Sequence, residues 1–300
     1  MPLIIILGPT AVGKTKLAVQ VAAKLDGEII SADSRQVYKG MDIGTGKDLE
    51  EFTVDGKEIP HHLIDIKEAG EQYHLYDFQQ DFYAAYRDIC SRGKTPILCG
   101  GTGLYLEAAL AKEQLLKVSK NEKLRKELGS ANIEELNRIL LQLNPNQHNK
   151  TDLGDRERCI RAIEIETLKQ QEPTTQLSPV RECVIFGICQ KRSALRARIE
   201  ERLNHRLENG MVEEVEQLLQ SGLSAEQLDY YGLEYRFISK YLKQELSYEE
   251  MVAKLLQAIR RFAKKQMTWY RRMERKGEKI HWLDANKSSA DKLSFVLNHI

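Results

Sequence analysis

Residues 3–15 read LIIILGPTAVGKT, an apolar run followed at once by a glycine-rich turn. The run is β-branched or leucine throughout, as expected for a buried parallel strand. A Gly-x-x-x-x-Gly-Lys-Thr segment between a strand and a helix is typical of a loop whose backbone N–H groups surround a phosphate. Eight residues make up this predicted phosphate loop: Gly8, Pro9, Thr10, Ala11, Val12, Gly13, Lys14 and Thr15.

The phosphate loop has two side chains with expected roles, but the usual companions of nucleotide hydrolysis are missing. Lys14 would add a mobile positive charge, and the Thr15 hydroxyl would ligate Mg²⁺. An ATPase or GTPase also needs an acid after a buried strand, whereas the strand at 96–99 runs into Gly-Gly-Thr-Gly. The loop is therefore expected to hold a phosphorylated group without hydrolysing a nucleoside triphosphate.

The first hundred residues alternate short apolar runs with amphipathic helical patterns. This alternation predicts an α/β fold, a P-loop-type parallel sheet covered by helices. Helices are expected at 14–25 and 75–90, and strands at 3–7, 28–32, 62–66 (an edge strand) and 96–99.

The pattern changes after residue 111. Residues 112–182 read as a mostly helical insertion domain that ends in a linker with two prolines at 172–182. A strand at 183–189 would return the chain to the sheet. Residues 1–111 and 183–300 would thus form the core domain, whose C-terminal region is helical, with its strongest helices at 194–221 and 247–276.

Asp33 lies in ISADSRQVYKGMDIGTGK, residues 30–47, directly after a predicted strand. Ligands of parallel sheets bind at the carboxyl edge, where Asp33 is expected to lie beside the phosphate loop. A carboxylate at this place could accept a proton from an attacking nucleophile. The residues alone leave two alternatives open, a helix N-cap and a water-mediated Mg²⁺ ligand.

Basic residues are concentrated in one segment near the end of the sequence. The net charge is only +1, yet residues 254–279 carry ten basic and two acidic residues, a local charge of +8. One face of the helix there is expected to bind RNA phosphates, while a stripe faces the core: Leu255, Ile259, Phe262, Gln266 and Trp269.

The sequence shows no membrane span and no secretory signal, and its five cysteines form no Cys-x-x-Cys pair, which favours a cytoplasmic protein with reduced thiols. His61 and His62 lack zinc-ligand spacing.

Several stretches, in order from about residue 3 to about residue 283, resemble the tRNA dimethylallyltransferase family. They are GPTAVGKT, SADSRQVYKGMDIGTGK, HHLIDI, GGTGLYL, RARIEERL and AIRRFAKKQMTWYRR. The resemblance implies that the loop holds dimethylallyl diphosphate with Mg²⁺ and that diphosphate is the leaving group. It implies that the acceptor is the N6 amine of the adenosine 3′ of the anticodon, in tRNAs reading codons that begin with U. It also implies a monomer.

The resemblance assigns roles to individual residues. Asp33 matches the catalytic aspartate, Arg202 the diphosphate-binding arginine and Thr102 a residue at the reaction channel. Arg198, one helical turn away, is the alternative to Arg202, and Thr102 could also be a helix N-cap. The residues implied to contact the tRNA anticodon stem-loop are Asp33, Ser34, Arg35, Gln36, Thr102, Arg125, Glu157, Arg158 and Arg161.

Two stretches depart from the family pattern. The chain after GGTGLYL lacks the expected Gly/Pro turn, and DYYGLEYR at 229–236 is a divergent glycine–tyrosine segment. Two other functions also compete. A P-loop small-molecule kinase would bind ATP and could use the insertion as a lid. A non-catalytic RNA-binding adaptor would retain an unused phosphate loop.

Overall fold

The computed structural model describes residues 2–111, 113–145, 153–171, 180 and 182–300. In chain order its strands are β1 (Leu3–Leu7), β2 (Gly27–Ser31), β3 (Thr53–Val54), β4 (Lys57–Glu58), β5 (His61–His62), β6 (Thr95–Gly100), β7 (Cys183–Cys189) and β8 (Ile280–Asp284). Six of them form one parallel sheet in the order β5–β2–β6–β1–β7–β8, while β3 and β4 pair separately and antiparallel.

The chain also forms α-helices, and the predicted α/β class is confirmed. They are α1 (Lys14–Leu25), α2 (Leu75–Ser91), α3 (Gly103–Ala109), α4 (Glu122–Glu127), α5 (Ile133–Leu143), α6 (Arg156–Gln171), α7 (Arg192–Glu208), α8 (Met211–Gln220), α9 (Ala225–Tyr231), α10 (Leu233–Leu242), α11 (Tyr248–Arg275) and α12 (Ser289–Leu297). A short 3₁₀ helix covers Leu49–Phe52. Among the described helices, none combines the length and the apolar character needed to cross a bilayer.

Strand β1 lies at the centre of the sheet because its five residues are apolar and fully buried. Ile5 pairs with Leu98 of β6 on one side and with Ile185 of β7 on the other. Since β2, β6 and β1 are neighbours and parallel, their carboxyl ends meet at one edge. This topology brings together the phosphate loop, Asp33 and Thr102, which follow these three strands.

Two strand predictions need correction. The edge strand expected at 62–66 is only His61–His62, because Leu63 and Asp65 adopt positive φ angles of 62° and 55° that end the extended backbone. The C-terminal region is not helical throughout, since β8 adds a strand at the opposite edge, where Ile280 pairs with Ile185. Its sequence, IHWLD, has no clear apolar alternation, so pairing with β7 rather than local pattern defines it.

The two strongest helix predictions have different outcomes. The helix expected at 194–221 is divided into α7 and α8, because Gly210 adopts a φ of 96° between them. The helix expected at 247–276 is confirmed as α11. It begins with a capping box in which the Ser247 side chain accepts from the Glu250 N–H, and the Glu250 carboxylate accepts from the Ser247 N–H.

The chain divides into two compact units, one made of Met1–Leu110 with Val180–Ile300 and the other of Ala111–Pro179. The second unit contains α4, α5 and α6. Its small apolar core is formed by Leu128, Leu136, Leu140, Cys159, Ile160 and Ile163. Most of the predicted linker at 172–182 lies outside the described residues.

Candidate active site

The phosphate loop joins β1 to α1 in a tightly curved backbone. Ala11 and Gly13 adopt positive φ angles of 65° and 81°. Gly8 passes so close to β7 that a Cβ there would lie 2.7 Å from the Ile188 carbonyl oxygen. The loop ends at the N-terminus of α1, where unpaired backbone N–H groups and the helix dipole favour an anion.

Helix α11 fixes the phosphate loop from the far end of the sequence. The Gln266 amide oxygen accepts from the Thr10 N–H at 3.0 Å, and its NH₂ group donates to the Gly101 carbonyl oxygen at 3.0 Å. The Tyr270 hydroxyl lies 3.0 Å from the Gly8 carbonyl oxygen and 3.1 Å from that of Gly101. Both side chains are almost fully buried. Gln266 was expected only as part of the core stripe, and nothing in the local sequence indicates these two bonds.

Lys14 is the positively charged side chain of the loop. Its Nζ donates to the Pro9 carbonyl oxygen at 2.9 Å. Burial lowers the pKa of Lys14 to about 8, with a further lowering by the positive charge of Arg202, while Cys99, Asp33 and Asp48 act in the opposite direction. A bound anion would restore the preference for the protonated ammonium group.

Asp33 and Thr102 follow neighbouring strands and are connected through Ser34. The Asp33 Oδ1 accepts from the Arg35 N–H at 2.9 Å, and the Thr102 hydroxyl accepts from the Ser34 N–H at 3.3 Å. Thr102 precedes α3 but its side chain makes no capping bond to that helix. The turn after β6 therefore positions the segment that follows Asp33, rather than the start of its own helix.

The residues after Asp33 divide between anchored and accessible side chains. Gln36 is anchored, because its NH₂ group donates to the Gly46 carbonyl oxygen at 2.9 Å and its Oε1 accepts from the Ser31 hydroxyl at 3.0 Å. The Arg35 guanidinium instead lies over the ring of Tyr230, 5.1 Å from its centroid. An arginine stacked on an aromatic ring is a common surface for a nucleobase.

A carboxylate from α8 fixes the glycine-rich segment that follows. Glu214 accepts from the N–H groups of Asp42, Ile43 and Gly44 at 2.7–2.9 Å. Its Oε1 also accepts from the Tyr235 hydroxyl at 2.8 Å. Neither side chain was predicted, because nothing in the local sequence links α8 to a segment 170 residues earlier.

Arg202, on α7, reaches the phosphate loop. Its Nη1 donates to the Thr10 hydroxyl at 3.3 Å, and its Nη2 donates to Asp48. Arg202 lines a cavity together with Thr10 and Arg206, whereas Arg198 is absent from that lining. The position of Arg202 is thus compatible with the role that the family resemblance implied.

The candidate RNA-contacting residues of the second unit also divide into anchored and accessible side chains. Arg125 donates to the buried carboxylate of Glu164 at 2.7 Å and to Glu157 at 3.0 Å, and Arg161 donates to Glu164 at 2.9 Å. Burial alone would raise the pKa of Glu164, but these bonds hold it at about 2. Arg158 has an exposed side chain. Contact of these residues with RNA stays a prediction.

Helix α11 also carries the basic face, and one stripe residue was assigned wrongly. Phe262 is 43% exposed, because the buried positions shift to Ala263 and then Gln266. Trp269 is partly buried, lies against Gly103 and has Arg272 over its ring at 4.9 Å. Three basic residues on the outer face are exposed, namely Arg261, Lys264 and Lys265.

Of the two paired histidines, His62 contacts a carboxylate. His62 Nε2 lies 2.8 Å from the Glu28 carboxylate, which also pairs with Arg92. No group of three or more His, Cys, Asp or Glu side chains in the described ranges is arranged to hold a metal ion.

Comparison with known proteins adds the family to this geometry. A sequence model described as IPP transferase matches residues 36–273, and one described as isopentenyl transferase matches residues 1–57. tRNA dimethylallyltransferase 1 of Parabacteroides distasonis is 52% identical over 297 residues, covering 98% of this chain and 96% of that protein. tRNA dimethylallyltransferase 2 of Syntrophotalea carbinolica is 52% identical over 283 residues, covering 94% of each chain.

Solved structures give the same result. The full-length tRNA isopentenylpyrophosphate transferase of Bacillus halodurans superposes with a TM-score of 0.71 at 32% identity, covering 99% of this chain and 95% of that one. A eukaryotic dimethylallyltransferase acting on tRNA gives 0.79 at 26% identity, covering 99% and 78%. The resemblance seen in the sequence is thereby confirmed, and the chain belongs to the IPP transferase family.

Proposed function

We propose that this protein transfers the dimethylallyl group of dimethylallyl diphosphate to the N6 amine of the adenosine 3′ of the anticodon. The acceptors would be tRNAs that read codons beginning with U. The observation that carries the proposal is the convergence of the phosphate loop, Asp33 and Arg202 in one unit of a chain that belongs to this family. A small-molecule kinase is the less favoured function, since no relative reported above is one.

The phosphate loop and its cations would bind the diphosphate. In the reaction the allylic C–O bond breaks and negative charge grows on the departing diphosphate. Backbone N–H groups of the loop, Lys14 and Arg202 would stabilise this charge, because fixed donors and cations at the leaving group lower the barrier. Thr10 would help to orient Arg202, whose Nη1 already donates to its hydroxyl.

Asp33 would act on the acceptor amine. The amine nitrogen forms the new bond to the allylic carbon, and one of its protons passes to the Asp33 carboxylate. Oδ1 of that carboxylate accepts from the Arg35 N–H, while Oδ2 has no partner in the described part of the chain. This arrangement supports Oδ2 as the oxygen that accepts the proton.

The residues present fit a magnesium ion that is shared with the substrate. The Thr15 side chain is partly exposed in the first turn of α1, and its hydroxyl has no hydrogen-bond partner among the described residues. Mg²⁺ usually keeps several waters and binds one or two protein ligands plus phosphate oxygens. Thr15 would hold it, and when bound it would neutralise charge on the diphosphate.

The RNA would bind as a single-stranded anticodon loop with the target adenine turned out of its stack. The Arg35–Tyr230 pair offers a stacking surface next to Asp33, and the basic face of α11 offers phosphate contacts. We propose that the protein acts as a monomer on this RNA.

A labelling experiment tests the function. Purified protein is incubated with Mg²⁺, radiolabelled dimethylallyl diphosphate and an anticodon stem-loop carrying adenosine 3′ of the anticodon. Label should enter this RNA but not a stem-loop with guanosine at that position. Asp33→Asn should lower the rate by about 10²–10⁴-fold. Asp55→Asn, in the exposed turn between β3 and β4, should leave it unchanged. Absence of label together with consumption of ATP would identify a kinase instead.

A further inference from the structure

Arg202 has a neighbour of the same charge that was not among the predicted site residues. Arg206 lies four residues further along α7, and therefore on the same helix face. Its side chain is only 12% exposed. It lines the same cavity as Arg202 and two residues of the phosphate loop, Thr10 and Ala11.

The two guanidinium groups lie side by side. A Cβ built on Gly46 would lie 1.6 Å from Nη2 of Arg206 and 2.7 Å from Nη2 of Arg202, so both groups pack on the same glycine. Burial lowers the pKa of Arg206, and the positive charge of Arg202 lowers it further. Two like charges at such proximity, one nearly buried and the other partly exposed, are unfavourable unless an anion lies with them.

Asp48 is the anion that both arginines contact. Its Oδ2 accepts from Arg202, and its Oδ1 lies 3.5 Å from Nη2 of Arg206. Glu234 lines the cavity as well, but burial raises the pKa of its carboxyl, which weakens it as a second counter-ion. One carboxylate therefore faces two guanidinium groups, a site with excess positive charge next to the phosphate loop.

We infer that Arg206 is a second diphosphate-binding arginine, and that Asp48 is an internal counter-ion which the substrate's diphosphate displaces from both arginines. The inference rests on the proposed function for the identity of the diphosphate. A diphosphate carries more charge than a carboxylate and offers more acceptor oxygens, and guanidinium groups match such oxygens in pairs. If diphosphate replaced Asp48, both guanidinium groups would have close acceptor oxygens. Asp48 bonds closely to Arg202 but lies 3.5 Å from Arg206.

The alternative is structural: Arg206 would only neutralise Asp48 and Glu234. The two explanations differ in what they predict for anion binding. If Asp48 competes with the substrate, its removal tightens binding. If Asp48 and Arg206 only hold the fold, removal of Asp48 leaves anion binding unchanged or weakens it.

Titration calorimetry with inorganic pyrophosphate and Mg²⁺ on the full chain tests the inference. Arg206→Gln should weaken the Kd about tenfold, the usual effect of losing one charged hydrogen bond. Asp48→Asn should tighten it severalfold. The matched control is Arg196→Gln, an exposed position on the same helix, which should change it less than twofold. Unchanged binding by Arg206→Gln, or unchanged or weaker binding by Asp48→Asn, would overturn the inference. If Arg206→Gln does not fold, as judged by circular dichroism, Asp48→Asn alone decides.

Prenyl transfer by the unaltered protein separates this inference from the proposed function. Pyrophosphate binding with the expected variant effects, but no transfer of label to the stem-loop, would reject the function and keep the paired anion site. Transfer of label with no effect of Arg206→Gln on pyrophosphate binding would keep the function and reject the inference.

Discussion

Gln266 accepts a hydrogen bond from the Thr10 N–H, although 256 residues separate the two in sequence. Its NH₂ group donates to the Gly101 carbonyl oxygen, so one amide joins the phosphate loop to the turn after β6. The buried amide makes both bonds at once only with its oxygen toward Thr10. Helix α11 is therefore part of the candidate site, and does more than present a basic face.

Replacement of Gln266 should show how far substrate binding depends on the geometry of the phosphate loop. Gln266→Glu keeps an acceptor for Thr10 but places a second acceptor against the Gly101 carbonyl oxygen, which costs about 1–3 kcal/mol of stability. We expect the KM for dimethylallyl diphosphate to rise about tenfold, since the loop backbone loses its support. Gln257→Ala, on the exposed face of α11, serves as the control. Steady-state kinetics and thermal unfolding check this, and an unchanged KM would contradict it.

The lowered pKa of Lys14 predicts a pH dependence of substrate capture. In the free protein the ammonium group loses its proton near pH 8, whereas a bound diphosphate raises that pKa. The protonated form is the one that binds, so kcat/KM for dimethylallyl diphosphate should be flat below pH 8 and fall about tenfold per unit above it. Lys14→Arg should remove this fall between pH 8 and 9.5. A wild-type profile that stays level to pH 10 would exclude the explanation.

The sequence predicts well what depends on short stretches of chain. Residues 3–15 contain both the buried strand and the loop, and the helical pattern at 247–276 predicts α11, although Phe262 was placed wrongly in its buried stripe. It fails where distant segments determine the structure. Strand β8 exists because β7 offers it an edge, and Glu214 caps a turn 170 residues earlier. The helical pattern around Arg206 does not distinguish it from a solvent-exposed charge, because Gly46 and Asp48, which contact it, lie far away in sequence.

The second unit offers a matched pair of arginine variants. Arg125→Ala leaves the buried Glu164 carboxylate without its main partner. Loss of a buried ion-pair partner costs about 3–5 kcal/mol, so the unit should unfold at a lower denaturant concentration. Arg158→Ala should not affect unfolding, because that side chain is exposed.

For RNA binding we expect the opposite: Arg158→Ala, which leaves stability unchanged, should weaken binding directly. If Arg158 contacts a phosphate, its removal weakens anticodon stem-loop binding and lowers the slope of log K against log salt by about one. Filter binding at several salt concentrations measures both. An unchanged slope for Arg158→Ala would remove this residue from the proposed RNA contacts.

Glu28 should control stability in acid. Its carboxylate is 5% exposed in β2, and bonds from Arg92 and His62 lower its pKa to about 2. A carboxyl group whose pKa is lower in the folded state stabilises the fold above its unfolded pKa, near 4.5, and this stabilisation is lost as the pH falls toward 2. The loss amounts to about 3 kcal/mol, given the size of the shift. Glu28→Gln should flatten the free energy of unfolding between pH 4.5 and 2, while Glu58→Gln, exposed in β4, keeps the wild-type slope. Urea titrations at a series of pH values measure this, and equal slopes for Glu28→Gln and the wild type would mean that another carboxylate is responsible.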